Sequence, residues 1–138
     1  LGEEDERLLP RDRQGRWEAS AWLIAMLNSV EPMIMQLVKL DVFNGDRPWA
    51  REARPEALKA VSSRLGQVAE ALGTRDWLAG RFTVADIMLV TVLRSLRHSK
   101  IVTGYPTLSA YQRRGEARPA FRQALGDQLA DFAGQEAT

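Results

Sequence analysis

The chain has 138 residues, 45% of them hydrophobic, and its 19 basic and 18 acidic side chains give a net charge of +1. This length supports one domain with its own core, and the balanced charge does not favour binding to nucleic acid or an anionic membrane. The absence of cysteine excludes disulfides, thiolate nucleophiles and zinc-thiolate sites, and it fits a reducing compartment. Because neither a signal peptide nor a membrane-spanning apolar stretch is evident, we expect a soluble, cytoplasmic chain.

The first ten residues are acidic and aperiodic, which predicts a linker over residues 1–10, with the domain itself over 11–133. From Arg13 to Leu40 apolar residues recur every three or four positions, which predicts one long helix, kinked by Pro32. The stripe expected to face the core contains Ser20, Leu23, Ile24, Leu27, Val30, Glu31, Ile34, Leu37 and Val38.

A second set of side chains on the same helix repeats at i, i+4, i+7 and i+11, and therefore lies on a different face. Its members are Trp22, Met26, Ser29 and Met33. Such a face belongs to the core, to an interface or to a ligand pocket, and the flexible thioethers of methionine suit a permissive pocket.

The middle of the chain predicts a loop followed by a second helix. The Asn-Gly and Arg-Pro pairs between Asp41 and Arg54 predict a polar loop. An apolar stripe then predicts a helix that starts at Pro55 and that Gly73 ends. Thr74–Arg81 is the connector after it, in which Trp77 is expected to plug the core.

The strongest local signal is the start of the next helix. Thr83 is a good N-cap and Asp86 stands three residues later, which predicts a capping box, while Phe82 and Ile87 are placed to form a hydrophobic staple. From Val84 to Leu93 only Asp86 and Thr91 are polar, which predicts a helix buried on all sides.

Two further helices are predicted. The first opens at Tyr105–Pro106 and runs to about Arg114, and the second opens at Arg118–Pro119. The second carries an apolar stripe and is followed by a frayed tail over residues 134–138; the stripe contains Phe121, Leu125, Leu129 and Phe132. Since no strand pattern appears, the fold is predicted to be an all-α bundle of about five helices.

The residues that usually carry catalysis are scarce. His98 is the only histidine and has no cysteine or second histidine beside it, so neither a metal site nor a Ser-His-Asp triad is expected. Glycine-rich phosphate loops are also missing from the sequence. We therefore assign no catalytic residue to this chain.

Three motifs in order resemble the helical C-terminal domain of bacterial glutathione S-transferases. They are Leu8–Asp12 (LLPRD), Trp77–Gly80 with Phe82–Ile87 (WLAG and FTVADI), and Tyr105–Leu108 with Arg118–Phe121 (YPTL and RPAF). The pair Trp22–Leu23 is followed in the same helix by Pro32–Met33, and this arrangement also resembles the family. Asn28 and Ser29 stand where small residues are usual.

The resemblance implies a division of labour. In this family a thioredoxin-like N-terminal domain binds glutathione and carries the Ser, Tyr or Cys that acts on its thiol, whereas the helical domain lines the pocket for a small hydrophobic electrophile. It implies that the capping box is scaffold, that the parent is a homodimer using glutathione as co-substrate, and that this chain alone, without the N-terminal domain, binds no glutathione and is inactive. The expected pocket residues are Trp22, Met26, Ser29 and Met33.

Two alternatives remain open. The first is a non-catalytic interaction module, similar to the corresponding domain of translation elongation factor gamma subunits or of stress-response regulators. The matched motifs belong to the scaffold of the domain, so they are equally compatible with a catalytic protein and with this non-catalytic module. The second is an unrelated helical effector domain of a transcription repressor, which predicts an upstream helix-turn-helix and fits the three motifs less well.

Overall fold

The computed structural model describes residues 8–136, with side chains through residue 133, and the regular structure within that range is helical. The α-helices are α1 (Arg13–Ala25), α2 (Glu31–Val38), α3 (Pro48–Leu72), α4 (Val84–Arg94), α5 (Pro106–Glu116) and α6 (Pro119–Glu136). A short 3-10 turn, Val102–Gly104, precedes α5. The π-helical turn Met26–Val30 joins α1 to α2, and a second one, Lys39–Phe43, extends α2, so that the first run is one continuous helix, Arg13–Phe43. With this first run counted as one helix, the described residues form five, which confirms the all-α prediction.

The π turn before Pro32 changes which residues of the first run face the core. Proline cannot donate a hydrogen bond to the preceding turn, and the regular α pattern is interrupted just before it. Because a π turn holds one residue more than an α turn, the position one turn before Val30 is Met26, which is buried. Leu27 and Ile24 are 40% and 57% exposed. The predicted core stripe is therefore correct after the turn and wrong before it at Ile24 and Leu27, whereas Leu23 packs against the core as predicted.

The second helix begins seven residues earlier than predicted. Arg47 is extended, as a residue before proline prefers, and Pro48 occupies the first turn of α3. Pro55, the predicted start, instead lies inside α3. It is exposed, so water can reach the Arg51 carbonyl that loses its helical partner. The end is as predicted, because Gly73 takes a φ of 56° that other residues rarely adopt.

The central helix α4 is buried on most of its circumference but not all of it. It packs against the first run on one side and α5 on the other. Its third side, with Ile87 and Thr91, is exposed, which corrects the prediction that it is enclosed. A helix that is apolar on every side is expected to be buried on every side. The surface that buries it can belong to another domain or subunit, so the sequence pattern does not show that this chain provides it.

Helices α4 and α5 approach closely at Gly115. A Cβ atom added there would lie 2.3 Å from Cγ2 of Val90 on α4, so only glycine fits without movement. The last helix α6 contacts α5 and continues to Glu136, past the predicted end at residue 133. The remainder of the predicted tail, residues 137 and 138, and most of the predicted linker, residues 1–7, lie outside the described part of the chain.

The first run also tests the prediction that no stretch reaches membrane-spanning length. Arg13–Phe43 is long and apolar enough to cross a bilayer by length and composition alone. A core helix of a soluble protein meets the same criterion, and α1 and α2 pack against α4 and α3. The prediction is therefore wrong by this criterion, because the predicted long helix contains a stretch of 18 residues that is apolar enough and carries few charges.

Candidate functional site

The start of α4 is built around the carboxylate of Asp86. Both arms of the predicted capping box with Thr83 are present. Asp86 Oδ2 accepts from the Thr83 amide at 2.8 Å, and Oδ1 accepts from the Leu78 amide at 2.9 Å and the Tyr111 hydroxyl at 2.7 Å. The carboxylate therefore joins the connector, α4 and α5, which makes it the organising polar group of the scaffold.

The end of the predicted linker packs against the same helix start. The Leu8 carbonyl accepts a hydrogen bond of 2.9 Å from the amide of Val84, one of the donors that a helix start leaves without a partner. Pro10 is buried, and Asp12 caps α1 through a 2.7 Å bond from the amide of Gly15. Residues 8–12 are thus part of the domain surface rather than a free connector.

An aromatic cluster lies beside the capping box. Trp77 contacts Phe82 and Tyr111 edge to face, with ring centroids 4.8 Å and 5.6 Å apart. The guanidinium of Arg118 lies 3.6 Å from the centroid of the Phe82 ring. Trp77 therefore has the packing role expected of it, whereas the predicted staple between Phe82 and Ile87 stays a prediction.

Three of the four predicted pocket residues meet at one cavity. Trp22, Met26 and Ser29 line a space of about 210 Å³ between the first run and α3. Met33 does not line it, although its half-buried side chain packs against the same core. Met26 is only 1% exposed, so of the three roles left open for this face the structure assigns Met26 to the core, for the register reason given above.

Two other surfaces of the first run and α4 are apolar and uncovered. Ile24, Leu27 and Met35 are exposed along the first run. A groove of about 320 Å³ separates α4 from α6, with Ile87 on one wall and Phe121 on the other. Sequence periodicity indicated apolar surface on both helices but did not indicate which residues would remain open.

A polar cluster that the sequence did not predict joins the end of the first run to α3 and to the turn after α4. Arg54 donates two hydrogen bonds to Asp41, from Nε to Oδ1 at 2.7 Å and from Nη2 to Oδ2 at 3.1 Å. His98 Nε2 lies 3.3 Å from Asp41 Oδ2. Burial opposes the charged form, but the bonds and charges of Arg54 and His98 outweigh it and hold the pKa of Asp41 below its ordinary value. His98, placed at a helix end by sequence, therefore belongs to a bridge between elements.

Among the side chains that the structure describes, those of residues 8–133, there is no group of three or more His, Cys, Asp or Glu residues that could hold a metal ion.

Comparisons with known proteins converge on one family. The family model for the glutathione S-transferase C-terminal domain matches residues 30–119. Glutathione S-transferase GstA of Escherichia coli O157:H7 is 31% identical over 124 residues, which cover 88% of this chain and 58% of the relative. The chain thus spans less than two thirds of the length of that curated relative.

Solved structures share the fold. A glutathione transferase from Burkholderia graminis, crystallised with two glutathione molecules per subunit, aligns with a TM-score of 0.82 and 24% identity, covering 90% of this chain and 55% of that one. The bacterial glutathione transferase BphK, solved as a ternary complex, aligns with a TM-score of 0.73 and 27% identity, covering 88% and 59% of the two chains.

Proposed function

Since the chain belongs to the glutathione S-transferase C-terminal domain family, we propose that it is the helical half of a bacterial glutathione S-transferase. In this proposal it supplies the apolar pocket for the electrophile, and a thioredoxin-like N-terminal domain supplies the glutathione site. The observation that carries the proposal is a small cavity on one face of the first run, together with apolar surface left open elsewhere on the same run. Exposed apolar surface of this kind marks an interaction or ligand site.

The proposed chemistry assigns binding and catalysis to different domains. A thiolate is the nucleophile in conjugation, and an apolar wall beside it concentrates the electrophile and holds it within reach of the sulfur. This chain has no cysteine and one histidine, and we assign it no catalytic residue and no glutathione site. It is therefore proposed to be inactive alone, with glutathione as the co-substrate of the parent.

The proposed electrophile pocket is the cavity lined by Trp22, Met26 and Ser29, with Met33 supporting the helix that carries them. Trp22 presents a broad apolar surface, Met26 adapts its shape, and Ser29 offers a hydroxyl for a polar substituent. The exposed stripe of Ile24, Leu27 and Met35 is proposed as the seat of the N-terminal domain or of a second subunit in a homodimer.

The test requires the parent protein, with the sequence on the N-terminal side of Leu1. A thioredoxin-like pattern there, with a Val-Pro pair and an early Ser, Tyr or Cys, is the expected result. The parent should conjugate glutathione to 1-chloro-2,4-dinitrobenzene, and the 138-residue chain should not. Turnover by the purified chain alone would contradict the division of labour.

The pocket is tested separately by filling it. Ser29→Trp should raise the KM for the aryl halide about tenfold while leaving the KM for glutathione unchanged, since it occupies the space for one substrate only. Ser63→Trp, at an exposed position of α3, is the matched control. Equal kinetics for the two variants would place the electrophile elsewhere, with the open stripe at Leu27 as the next position to test.

A non-catalytic interaction module is the competing proposal, and a parent that binds glutathione without conjugating any electrophile would support it.

We place the parent in the cytoplasm, which the absence of cysteine fits. A light-scattering mass of the parent tests the proposed homodimer directly.

A further inference from the structure

The hairpin formed by the first run and α3 presents three large apolar side chains to solvent at its tip. Val42, Phe43 and Trp49 are 53%, 72% and 52% exposed. The first two lie in the π turn that ends the first run, and Trp49 lies in the first turn of α3. We call these three residues the apolar tip. Exposed apolar side chains scattered singly are ordinary, whereas a concentration of them marks an interaction site.

Hydrogen bonds hold the backbone of the tip in place. The side-chain amide of Asn44 donates to the Lys39 carbonyl at 2.9 Å, and the backbone amide of Arg47 donates to the Asn44 carbonyl at 2.9 Å. Arg51 Nε donates to the Gly45 carbonyl at 3.2 Å. The exposure of the apolar side chains is therefore a property of an ordered turn that has no core position to offer them.

The tip forms a ridge between two hollows. Val42 lines a hollow of about 790 Å³ on the side of α3, and Val42 and Phe43 together line another of about 510 Å³ on the side of α4. A stable protein partner would have to match the ridge and both hollows, since such interfaces require closely packed complementary surfaces. A lipid bilayer instead deforms locally around the protein that enters it. The shape of the tip therefore favours a lipid surface.

The charged side chains around the tip are mostly basic. Residues 39–54 hold the tip, and residues 95–100 face it across the hollows; together they contain six basic and three acidic side chains. Among the described residues, Lys39, Arg97 and Lys100 have no carboxylate at ion-pair distance. The balanced charge of the whole chain thus conceals a positive end, and this end carries the apolar tip.

Aromatic side chains surrounded by basic ones are the combination that binds an anionic lipid surface. Tryptophan and phenylalanine bury their rings at the boundary between headgroups and acyl chains, and each nearby Lys or Arg adds attraction to anionic headgroups. We propose that the apolar tip docks on an anionic membrane surface, with Phe43 and Trp49 entering the headgroup region and Lys39 and Arg97 facing the lipid phosphates. The docking is peripheral and is independent of the proposed conjugation chemistry.

Co-sedimentation of the 138-residue chain with lipid vesicles tests the proposal. The chain should bind vesicles made of equal parts of phosphatidylglycerol and phosphatidylcholine, and it should bind phosphatidylcholine vesicles about tenfold more weakly or not at all. High salt should release it, because the electrostatic attraction is screened. Phe43→Ala and Trp49→Ala should each weaken binding about fivefold, since each removes a ring that is buried on docking.

Two matched variants separate the tip from exposed surface in general. Trp17 is 66% exposed on the same run and lies about 40 Å from Phe43 along the helix axis, so Trp17→Ala should leave vesicle binding unchanged. Lys39→Gln should weaken binding about fivefold, because it removes one cation near the headgroups. Arg122→Gln removes an exposed cation on α6 and should have no effect.

The absence of sedimentation with the anionic vesicles would overturn the proposal, as would equal binding to both kinds of vesicle. A loss at Trp17 as large as that at Trp49 would overturn the assignment to the tip. In the absence of vesicles, a light-scattering mass that falls in Phe43→Ala and Trp49→Ala would assign the tip to contact between copies of this chain. Circular dichroism checks that the variants fold, as expected for substitutions at exposed positions.

Discussion

The hydroxyl of Tyr111 on α5 donates a 2.7 Å hydrogen bond to the carboxylate of Asp86 on α4, and neither side chain is exposed. Asp86 is also the acidic half of the capping box. The start of the central helix is therefore tied to its neighbouring helix by the same group that completes its own first turn. Local and tertiary structure reinforce each other at this point.

Tyr111→Phe should lower the free energy of unfolding by about 1 to 2 kcal/mol, because it removes a buried hydrogen bond to a charged acceptor. Urea denaturation measures this. Tyr105→Phe is the matched control, since the Tyr105 hydroxyl donates at 2.7 Å to the neutral carbonyl of Ser62 in a half-buried setting. A loss at Tyr105 as large as that at Tyr111 would contradict the importance of the Asp86 carboxylate.

Alkaline pH should reduce the contribution of this contact to the free energy of unfolding. Burial, followed by the negative charge of Asp86, raises the pKa of Tyr111 above its ordinary value. A group whose pKa is raised in the folded state stabilises fully below its unfolded pKa, about 10 for tyrosine, and loses that contribution as the pH rises. Urea midpoints of the wild type and Tyr111→Phe should therefore converge above about pH 10. Parallel midpoints between pH 8 and 11 would show that Tyr111 ionises equally in both states.

The sequence predicted the start of α4 because its signals are local. Thr83 and Asp86 stand three residues apart, so capping follows from the chain itself. Tyr111 lies 25 residues beyond Asp86 and carries no mark of its partner. The same distinction applies to Asp41 and His98, which meet across 57 positions although one lies in a predicted loop and the other at a helix end.

The predictions from sequence were wrong at the start of α3 and in the register of the first run, where the same local rule allowed two positions. Pro48 and Pro55 are both acceptable in a first turn, and the polar residues before Pro55 favoured the later one, although α3 starts at the earlier. In the first run, apolar spacing allowed Met26 or Leu27 to face the core. The π turn decided between them. Pro32 marks where the regular helix is interrupted, but no period in the sequence tells how many residues the preceding turn contains.

Gly115→Ala should destabilise the domain by about 1 to 3 kcal/mol. The added Cβ would lie 2.3 Å from Cγ2 of Val90, a β-branched side chain that has little freedom to turn away. Gly126→Ala is the control, because nothing lies within 4 Å of its added Cβ on α6. That substitution should be neutral or stabilising by up to about 1 kcal/mol, since alanine favours a helix. Thermal melts that place both variants on the same side of the wild type would refute the close approach of α4 and α5.

Arg54→Gln should lower stability at pH 7 by about 1 kcal/mol, as expected for a partly exposed ion pair. The pKa of Asp41 is lowered in the folded state, so its contribution is present above the ordinary carboxyl value and is lost as the pH falls through the folded one. The gap between wild type and variant should therefore close below about pH 4. A gap as large at pH 2.5 as at pH 7 would mean that Arg54 stabilises by packing rather than through the charge of Asp41.

Substitutions on the first run distinguish its buried from its exposed apolar residues. Met26→Gln should cost about 3 kcal/mol or more, since it places an amide without a partner in a position that is 1% exposed. Leu27→Gln, at 40% exposure, should change the free energy of unfolding by about 1 kcal/mol or less and should reduce the binding of an apolar dye to the chain. Met33→Gln, at a half-buried position, is expected to cost an amount of stability between these two.

Met26 and Leu27 are neighbours with similar side-chain volumes, so a difference between their variants reports which side chain faces the core rather than which residue type was replaced. A larger loss at Leu27 than at Met26 would show that the first run has the register predicted from its apolar spacing and that the π turn is misplaced.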